Sequence, residues 1–293
     1  MTNEWIEQVA SLSQKPDGRY LTAQESRDLS AGGRLLDLLP CAKQIAQPGI
    51  SGFRVGAVAV AASDAIYFGA NFEFPGAGLL YTVHAEQAVA LNARIHGETR
   101  IKQIAVSAPP CGRCRQFLNE IEGGEDIEII TKTAKPARLA EWLPHSFGPA
   151  DLKITGGMLT PRENPIATLG GAFDDLAQQA WEAARHCHAP YTNVYAAIAL
   201  RFRGGSIVTG QSIENAAFNP SLLPLQSALV NVALRGLQAA AIETAVLVQT
   251  ANGIVNHEPA TRELLAAVAS RARLKVVPLR AEPLNPTRRA GEP

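Results

Sequence analysis

The sequence predicts an α/β protein built from two copies of one domain, each an α/β sandwich of helices packed on a mixed sheet. Three observations support this prediction. The chain has 293 residues, which exceeds the length of most single domains. Segments typical of strands and helices follow one another in the order β-β-α-β-α-β. The second half of the chain repeats features of the first half, which indicates an internal duplication.

The elements are assigned in chain order. Residues 1–47 are predicted as an N-terminal helical segment, in which Trp5, Ile6 and Val9 form one apolar face. The first domain is predicted at 48–130, with strands at 53–61, 65–71, 101–107 and 127–130, a helix from residue 84 and another after residue 110. Prolines break up residues 131–170, which are predicted as a linker with one short helix at 137–142. The second domain is predicted at 171–293 and begins with a helix at 174–185.

His84, Cys111 and Cys114 predict a catalytic zinc site in the first domain. Zinc in enzymes typically has three protein ligands and an open fourth position, whereas structural sites usually have four protein ligands. The other histidines are scattered and offer no suitably spaced fourth ligand. Glu86 follows His84 by two residues and is predicted to carry protons for the zinc-activated water. We therefore expect one Zn²⁺ per chain.

A shift of 141 residues aligns the two halves of the sequence, so that Gly69 corresponds to Gly210. The same shift places His84 on Leu225 and Glu86 on Ser227, and neither cysteine has a counterpart. The second domain is therefore predicted to be a degenerate copy without a metal site.

Composition excludes several classes of function. Lys+Arg and Asp+Glu both number 27, so no global positive field attracts nucleic acid. No run of 18 apolar residues could cross a membrane, and the first residues lack the layout of a signal peptide. Four cysteines are too few for a disulfide scaffold in a chain of this size. These features predict a cytoplasmic protein.

Five short stretches carry a family resemblance. They are FRVGA (53–57), GANFEF (69–74), HAEQ (84–87), PCGRCRQF (110–117) and ENAAF (214–218). The pattern H-x-E followed by P-C-x-x-C is the signature of zinc-dependent nucleobase deaminases. With these stretches the sequence resembles the two-domain, homodimeric form of cytidine deaminase over nearly its whole length.

The resemblance implies an activity and a set of roles. The activity is zinc-dependent hydrolytic deamination of cytidine and deoxycytidine to uridine and deoxyuridine plus ammonia, in pyrimidine salvage. By resemblance, Asn71 and Glu73 bind near the ribose 3′-hydroxyl, Phe53 packs on the pyrimidine ring and the Ala85 amide meets the base. It also implies a homodimer in which the second domain helps to close the partner's active site, with a small nucleoside as substrate and no nucleic-acid or membrane partner.

Two other interpretations stay open at this point. A deaminase acting on a cytosine nucleotide or a nucleic-acid base would need phosphate-binding or base-stacking surfaces, for which neutral charge and 6% aromatic residues offer little. A non-catalytic zinc-stabilised binding module would not depend on Glu86.

Overall fold

The computed structural model describes residues 3–30, 35–167 and 174–280. No helix in these ranges is long and apolar enough to cross a membrane. The N-terminal elements are α1 Asn3–Ser13, β1 Gln14–Lys15, β2 Gly18–Leu21, α2 Ala23–Ser30 and α3 Leu35–Gln44. The predicted N-terminal helices are confirmed. The β1–β2 hairpin was not predicted, because strands of 2 and 4 residues are too short to show an alternating pattern.

The first sheet is mixed, as predicted. Its remaining elements are β3 Gly56–Ala61, β4 Ile66–Ala70, α4 Ala85–Ile95, β5 Ile101–Val106, α5 Gly112–Leu118, β6 Glu128–Ile130, β7 Ala137–Arg138 and α6 Leu139–Trp142. The strand order is β1-β2-β4-β3-β5-β6-β7. β5 and β6 run parallel, and β3 is antiparallel to both of its neighbours. α3 packs on one face through Val58 and Phe68, and α4 packs on the other through Ala57 and Ala59.

The segment expected as a linker contributes to this packing. β7 pairs with β6, and the side chains of Leu139 and Met158 are fully buried. The short helix expected at 137–142 is present as α6. The division of the chain at residues 131 and 170 stays a proposal.

The second domain has a smaller sheet with the same central order. Its elements are α7 Asp175–Arg185, β8 Ala196–Phe202, β9 Ile207–Gln211, α8 Pro224–Leu234, β10 Ile242–Thr250, α9 Glu258–Val268 and β11 Arg273–Leu279. The strand order is β11-β10-β8-β9, with β10 parallel to β11. β9 corresponds to β4 of the first copy, but in the described residues no further strand pairs with its outer edge.

Two equivalent glycines allow a helix to lie directly on each sheet. A Cβ on Gly69 would be 2.3 Å from the Val89 nitrogen of α4, and a Cβ on Gly210 would be 2.2 Å from the Ala228 nitrogen of α8. Any side chain at either position would force the helix away from the strand. The same close approach in both copies is structural support for the duplication.

The single shift of 141 residues is wrong at α8. Gly69 does correspond to Gly210, but the residue before α4 is His84 and the residue before α8 is Leu223, a shift of 139. The loop between β9 and α8 is thus two residues shorter than its counterpart. The structural equivalents of His84 and Glu86 are therefore Leu223 and Leu225, neither of which can bind a metal or carry a proton.

Candidate zinc site

The predicted metal ligands lie at the starts of two helices. His84 immediately precedes α4 and Cys111 immediately precedes α5, both in extended backbone conformation, while Cys114 lies in the first turn of α5. The first amides of a helix have no acceptor within the helix, and they carry partial positive charge. This placement favours the anionic form of the Cys111 sulfur.

The three ligand atoms form a triangle slightly smaller than the one that bound zinc requires. The Nδ1 atom of His84 is 3.2 Å from Cys114 Sγ and 3.5 Å from Cys111 Sγ, and the two sulfurs are 3.5 Å apart. Tetrahedral zinc with bonds of about 2.3 Å to sulfur and about 2.0–2.1 Å to nitrogen requires separations of roughly 3.6–3.8 Å. In the described part of the chain, no other group of three or more such side chains is close enough to hold a metal ion.

Electrostatic coupling concentrates negative charge on the exposed sulfur. Hydrogen bonding with Cys114 and His84 lowers the pKa of Cys111 to about 3. The hydrogen bond with Cys111, together with burial, raises the pKa of Cys114. The hydrogen bond with Cys111 also raises the pKa of His84. One imidazole and two sulfurs suit a borderline cation such as Zn²⁺, which displaces the protons of its ligands as it binds.

Glu86 lies in the first turn of α4 with only 3% of its surface exposed. Burial raises the pKa of its carboxyl group, although its own backbone hydrogen bond and the His84 charge oppose the rise. A carboxyl group with a raised pKa is suited to accepting and returning a proton near neutral pH.

A cavity of about 280 Å³ opens beside the ligands. All of the residues predicted to bind substrate contribute to its wall, namely Phe53, Asn71, Glu73 and Ala85, together with Glu86, His84 and Cys111. Cys114 is buried behind this wall. Ser51 also lines the cavity, and nothing in the sequence pattern had indicated it.

Glu73 is fully engaged by the loop that carries Phe53. Its Oε2 accepts hydrogen bonds from the Ile50 and Ser51 amides at 2.8 and 2.7 Å, and its Oε1 accepts from Ser51 Oγ at 2.6 Å and Asn71 Nδ2 at 3.2 Å. Burial alone would raise the pKa of Glu73, but these hydrogen bonds outweigh it and lower the pKa. Four donors fill the acceptor capacity of a carboxylate. Glu73 thus shapes the loop, and a substrate hydroxyl would have to displace one of these donors.

Asn71 stabilises the same loop through hydrogen bonds to its backbone. Its Oδ1 accepts from the Val55 amide at 2.9 Å, and its Nδ2 donates to the Phe53 carbonyl at 3.0 Å. The side chain is buried, with 6% exposed. Asn71 therefore holds Phe53 in place, in addition to any direct contact with substrate.

Comparison with known proteins decides the family. Residues 34–128 and residues 139–262 each match a family model described as the cytidine and deoxycytidylate deaminase zinc-binding region. The cytidine deaminase of Aeromonas hydrophila is 45% identical over 80% of this chain and 80% of its own length. The chain belongs to the cytidine deaminase family. The cytidine deaminase of Proteus mirabilis is 43% identical over the same shares, 80% of each chain.

Solved structures include smaller members of the cytidine deaminase family. The cytidine deaminase from Mycobacterium tuberculosis aligns with 39% of this chain and 94% of its own, at 32% identity and a TM-score of 0.36. The zinc-binding family models and the His/Cys/Cys triangle agree on Zn²⁺ as the metal of this family member.

Proposed function

We propose that this chain catalyses the hydrolytic deamination of cytidine and deoxycytidine, giving uridine or deoxyuridine and ammonia, as a step of pyrimidine salvage. The observation that carries the proposal is the convergence of His84, Cys111 and Cys114 beside the buried carboxyl group of Glu86 in one cavity. The relatives described above, all named cytidine deaminase, support this choice of substrate.

Glu86 is proposed as the proton carrier. Zinc held by the three ligands would lower the pKa of a water in its open position from about 15.7 to about 7. Glu86 accepts a proton from the attacking water and delivers it to the ring nitrogen beside the carbon that bears the amino group. The resulting hydroxide adds to that carbon. Glu86 then takes the remaining proton from the added hydroxyl group and delivers it to the amino group, so that the C–N bond breaks, ammonia leaves and the oxygen becomes the carbonyl oxygen of the product.

The cavity wall is proposed to orient the nucleoside. Phe53 is 62% exposed at the cavity and presents an apolar surface on which the pyrimidine ring can pack. Ala85 is the first residue of α4, so its amide has no acceptor within the helix and is available to the base. Asn71 and Glu73 are assigned to the ribose 3′-hydroxyl region, where Ser51 Oγ is the donor that a substrate hydroxyl would replace.

A homodimer is part of the proposal. Phe53 and Cys111 are both exposed, so the cavity is open to water on this side of the chain. The reaction requires a site that is shielded from bulk water, and we propose that the second domain of a partner subunit covers the cavity. Analytical ultracentrifugation combined with activity assays tests this point, because a fully active monomer would contradict it.

A cytoplasmic location is also part of the proposal. The free state of all four cysteines fits a cytoplasmic location.

Nucleotide and nucleic-acid substrates are less well supported. Within the described residues, the cavity beside the zinc ligands is lined by no lysine or arginine that could bind a phosphate group. Ammonia release should be measured with cytidine, CMP and a cytosine-containing oligonucleotide in competition. We expect cytidine to be the preferred substrate, and a preference for CMP or the oligonucleotide would overturn the assignment.

A further inference from the structure

A second cavity of about 300 Å³ lies between the two domains. Its wall includes Leu91 and Arg94 of α4, Leu159 and Arg162 of the segment after α6, Gln211 of β9 and Asn231 of α8. We call it the interdomain cavity. Arg94 is ten residues after His84, which places the cavity about 15 Å along the helix from the zinc ligands.

The duplication shows why this space is open. Asn92 of α4 and Asn231 of α8 are equivalent, and each donates from Nδ2 to a carbonyl of the strand beneath, Phe68 at 2.9 Å and Thr209 at 3.3 Å. Asn92 donates in addition to the Arg19 carbonyl of β2 at 2.7 Å. In the first copy, the β1–β2 hairpin thus fills the groove beside β4. No described strand takes that place beside β9, and the interdomain cavity lies there.

Two guanidinium groups with spare donors line the cavity. Arg94 donates from Nε to Gln211 Oε1 at 3.1 Å and from Nη2 to the His186 carbonyl, which leaves Nη1 without a partner among the described residues. Arg162 donates from Nη2 to the Thr155 carbonyl at 3.0 Å, while its Nε is buried and has no partner. Neither arginine forms an ion pair with any described carboxylate.

The one carboxylate in the cavity wall is already occupied. Glu98 accepts hydrogen bonds from the hydroxyl groups of Ser63 and Tyr67, the latter at 3.0 Å. Burial lowers the pKa of Arg94 to about 10, so its guanidinium group is still protonated at neutral pH. The wall therefore carries two guanidinium charges against the single carboxylate charge of Glu98, which pairs with neither arginine. A buried charge without a direct partner is unfavourable.

We propose that the interdomain cavity is a binding site for a small phosphate-bearing anion, which is held by the guanidinium groups of Arg94 and Arg162. Planar guanidinium groups bind phosphate oxygens in pairs of hydrogen bonds. With Glu98 counted, the wall keeps an excess of positive charge, and a phosphate group offers two guanidinium groups more acceptor oxygens than a carboxylate does. The volume is at the lower end for ligand pockets, and Leu91 and Leu159 leave an apolar wall for a small organic group.

Isothermal titration of inorganic phosphate into the zinc-loaded full chain tests the proposal. Saturating uridine keeps the zinc site occupied, and acetate is titrated in parallel as the carboxylate probe. The variants are Arg94→Gln and Arg162→Gln, and Arg203→Gln is the matched control because that side chain is 79% exposed and does not contribute to the cavity wall. Arg94 also hydrogen-bonds to the second domain, so its replacement can misfold the chain. Arg162→Gln leaves those bonds in place and tests the cavity without that risk.

The expected result is one phosphate bound per chain, weakened about tenfold or more by Arg162→Gln and Arg94→Gln and unchanged by Arg203→Gln. Acetate should bind more weakly than phosphate. The absence of saturable phosphate binding, equal affinity in the Arg162→Gln variant, or tighter binding of acetate would each overturn the proposal. None of these outcomes depends on cytidine deamination, so the two proposals fail separately.

Discussion

Gln87 and Gln226 make reciprocal hydrogen bonds across the domain interface. Gln87 Nε2 donates to the Pro220 carbonyl of the second domain at 3.2 Å, and Gln226 Nε2 donates to the Tyr81 carbonyl of the first domain at 2.9 Å. Both glutamines occupy the same position of their helices, the third residue of α4 and of α8. The two copies therefore pack about a pseudo-twofold axis, in the way that two identical subunits would.

Gln87 also connects this interface to the zinc site. Its Oε1 accepts from the His84 amide at 3.1 Å, whereas Gln226 Oε1 accepts from the Leu223 amide at 2.9 Å. Replacement of Gln87 by Leu removes both bonds and leaves buried partners unsatisfied, which should lower the free energy of unfolding by about 1–3 kcal/mol. Because His84 loses its support, we also expect weaker zinc binding, measured by competition with a chelator.

Gln226→Leu is the matched control for Gln87→Leu. It removes the same pair of bonds, but the residue it caps is Leu223, which binds no metal. We expect a similar loss of stability with unchanged zinc affinity. Equal zinc affinity in both variants would show that Gln87 does not position His84.

Glu73→Gln should impair substrate binding through the loop that carries Phe53. The glutamine can keep its carbonyl oxygen on the Ile50 and Ser51 amides, but its NH2 group then faces Asn71 Nδ2, which is itself a donor. We expect the loop to shift and the KM for cytidine to rise about tenfold. This rise corresponds to a loss of roughly 1–2 kcal/mol of binding free energy. Steady-state kinetics checks this expectation.

The second copy offers the control for this loop as well. Glu214 accepts from the amides of Tyr191 and Thr192 at 2.9 and 3.2 Å and from the Thr192 hydroxyl, as Glu73 does from Ile50 and Ser51. Glu214→Gln should lower the free energy of unfolding by about as much as Glu73→Gln does, without raising the KM for cytidine. If both variants raise KM equally, the effect of Glu73→Gln is one of general stability, and the explanation through the Phe53 loop is wrong.

His257 should make the protein less stable in acid. Its ring nitrogens are buried without partners, and burial lowers its pKa to about 4. The unfolded chain, with an ordinary histidine pKa of about 6.5, binds the proton first. The free energy of unfolding should therefore fall by up to about 1.4 kcal/mol per pH unit as the pH drops from about 6.5 to 4.

His257→Phe isolates this contribution. The variant keeps an apolar ring of similar size but has no proton to bind. Denaturant unfolding of both zinc-loaded proteins should give a shallower dependence on pH for the variant over that range. Identical slopes would mean that the His257 ring is hydrated in the folded protein.

Local features of the sequence were sufficient to predict that three side chains lie close enough together to bind one metal ion. Cys111 and Cys114 are three residues apart at the start of one helix, and His84 precedes another helix, so their spacing shows directly in the sequence. Contacts between distant segments were not predictable. Ser51 meets Glu73 only through the approach of the loop to the end of β4, and no periodicity marks such a contact.

The duplication shows the same limit. A single shift of 141 residues describes the strands, because Ala57 pairs with Gly69 in the first copy as Ile198 pairs with Gly210 in the second. It fails at α8, because loops tolerate changes of length that one alignment offset cannot represent. The equivalent of His84 is thus Leu223, as the positions of the helix ends reveal.

The most direct test of the central claim is to measure zinc content and ammonia release from cytidine for the Glu86→Gln variant, with Cys111→Ala as the control. Glu86 is not among the metal ligands, so the variant should keep one zinc per chain while ammonia release falls by about 10²–10⁴-fold. Cys111→Ala should lose both the metal and the activity. A Glu86→Gln enzyme that releases ammonia as fast as the native enzyme would contradict the account.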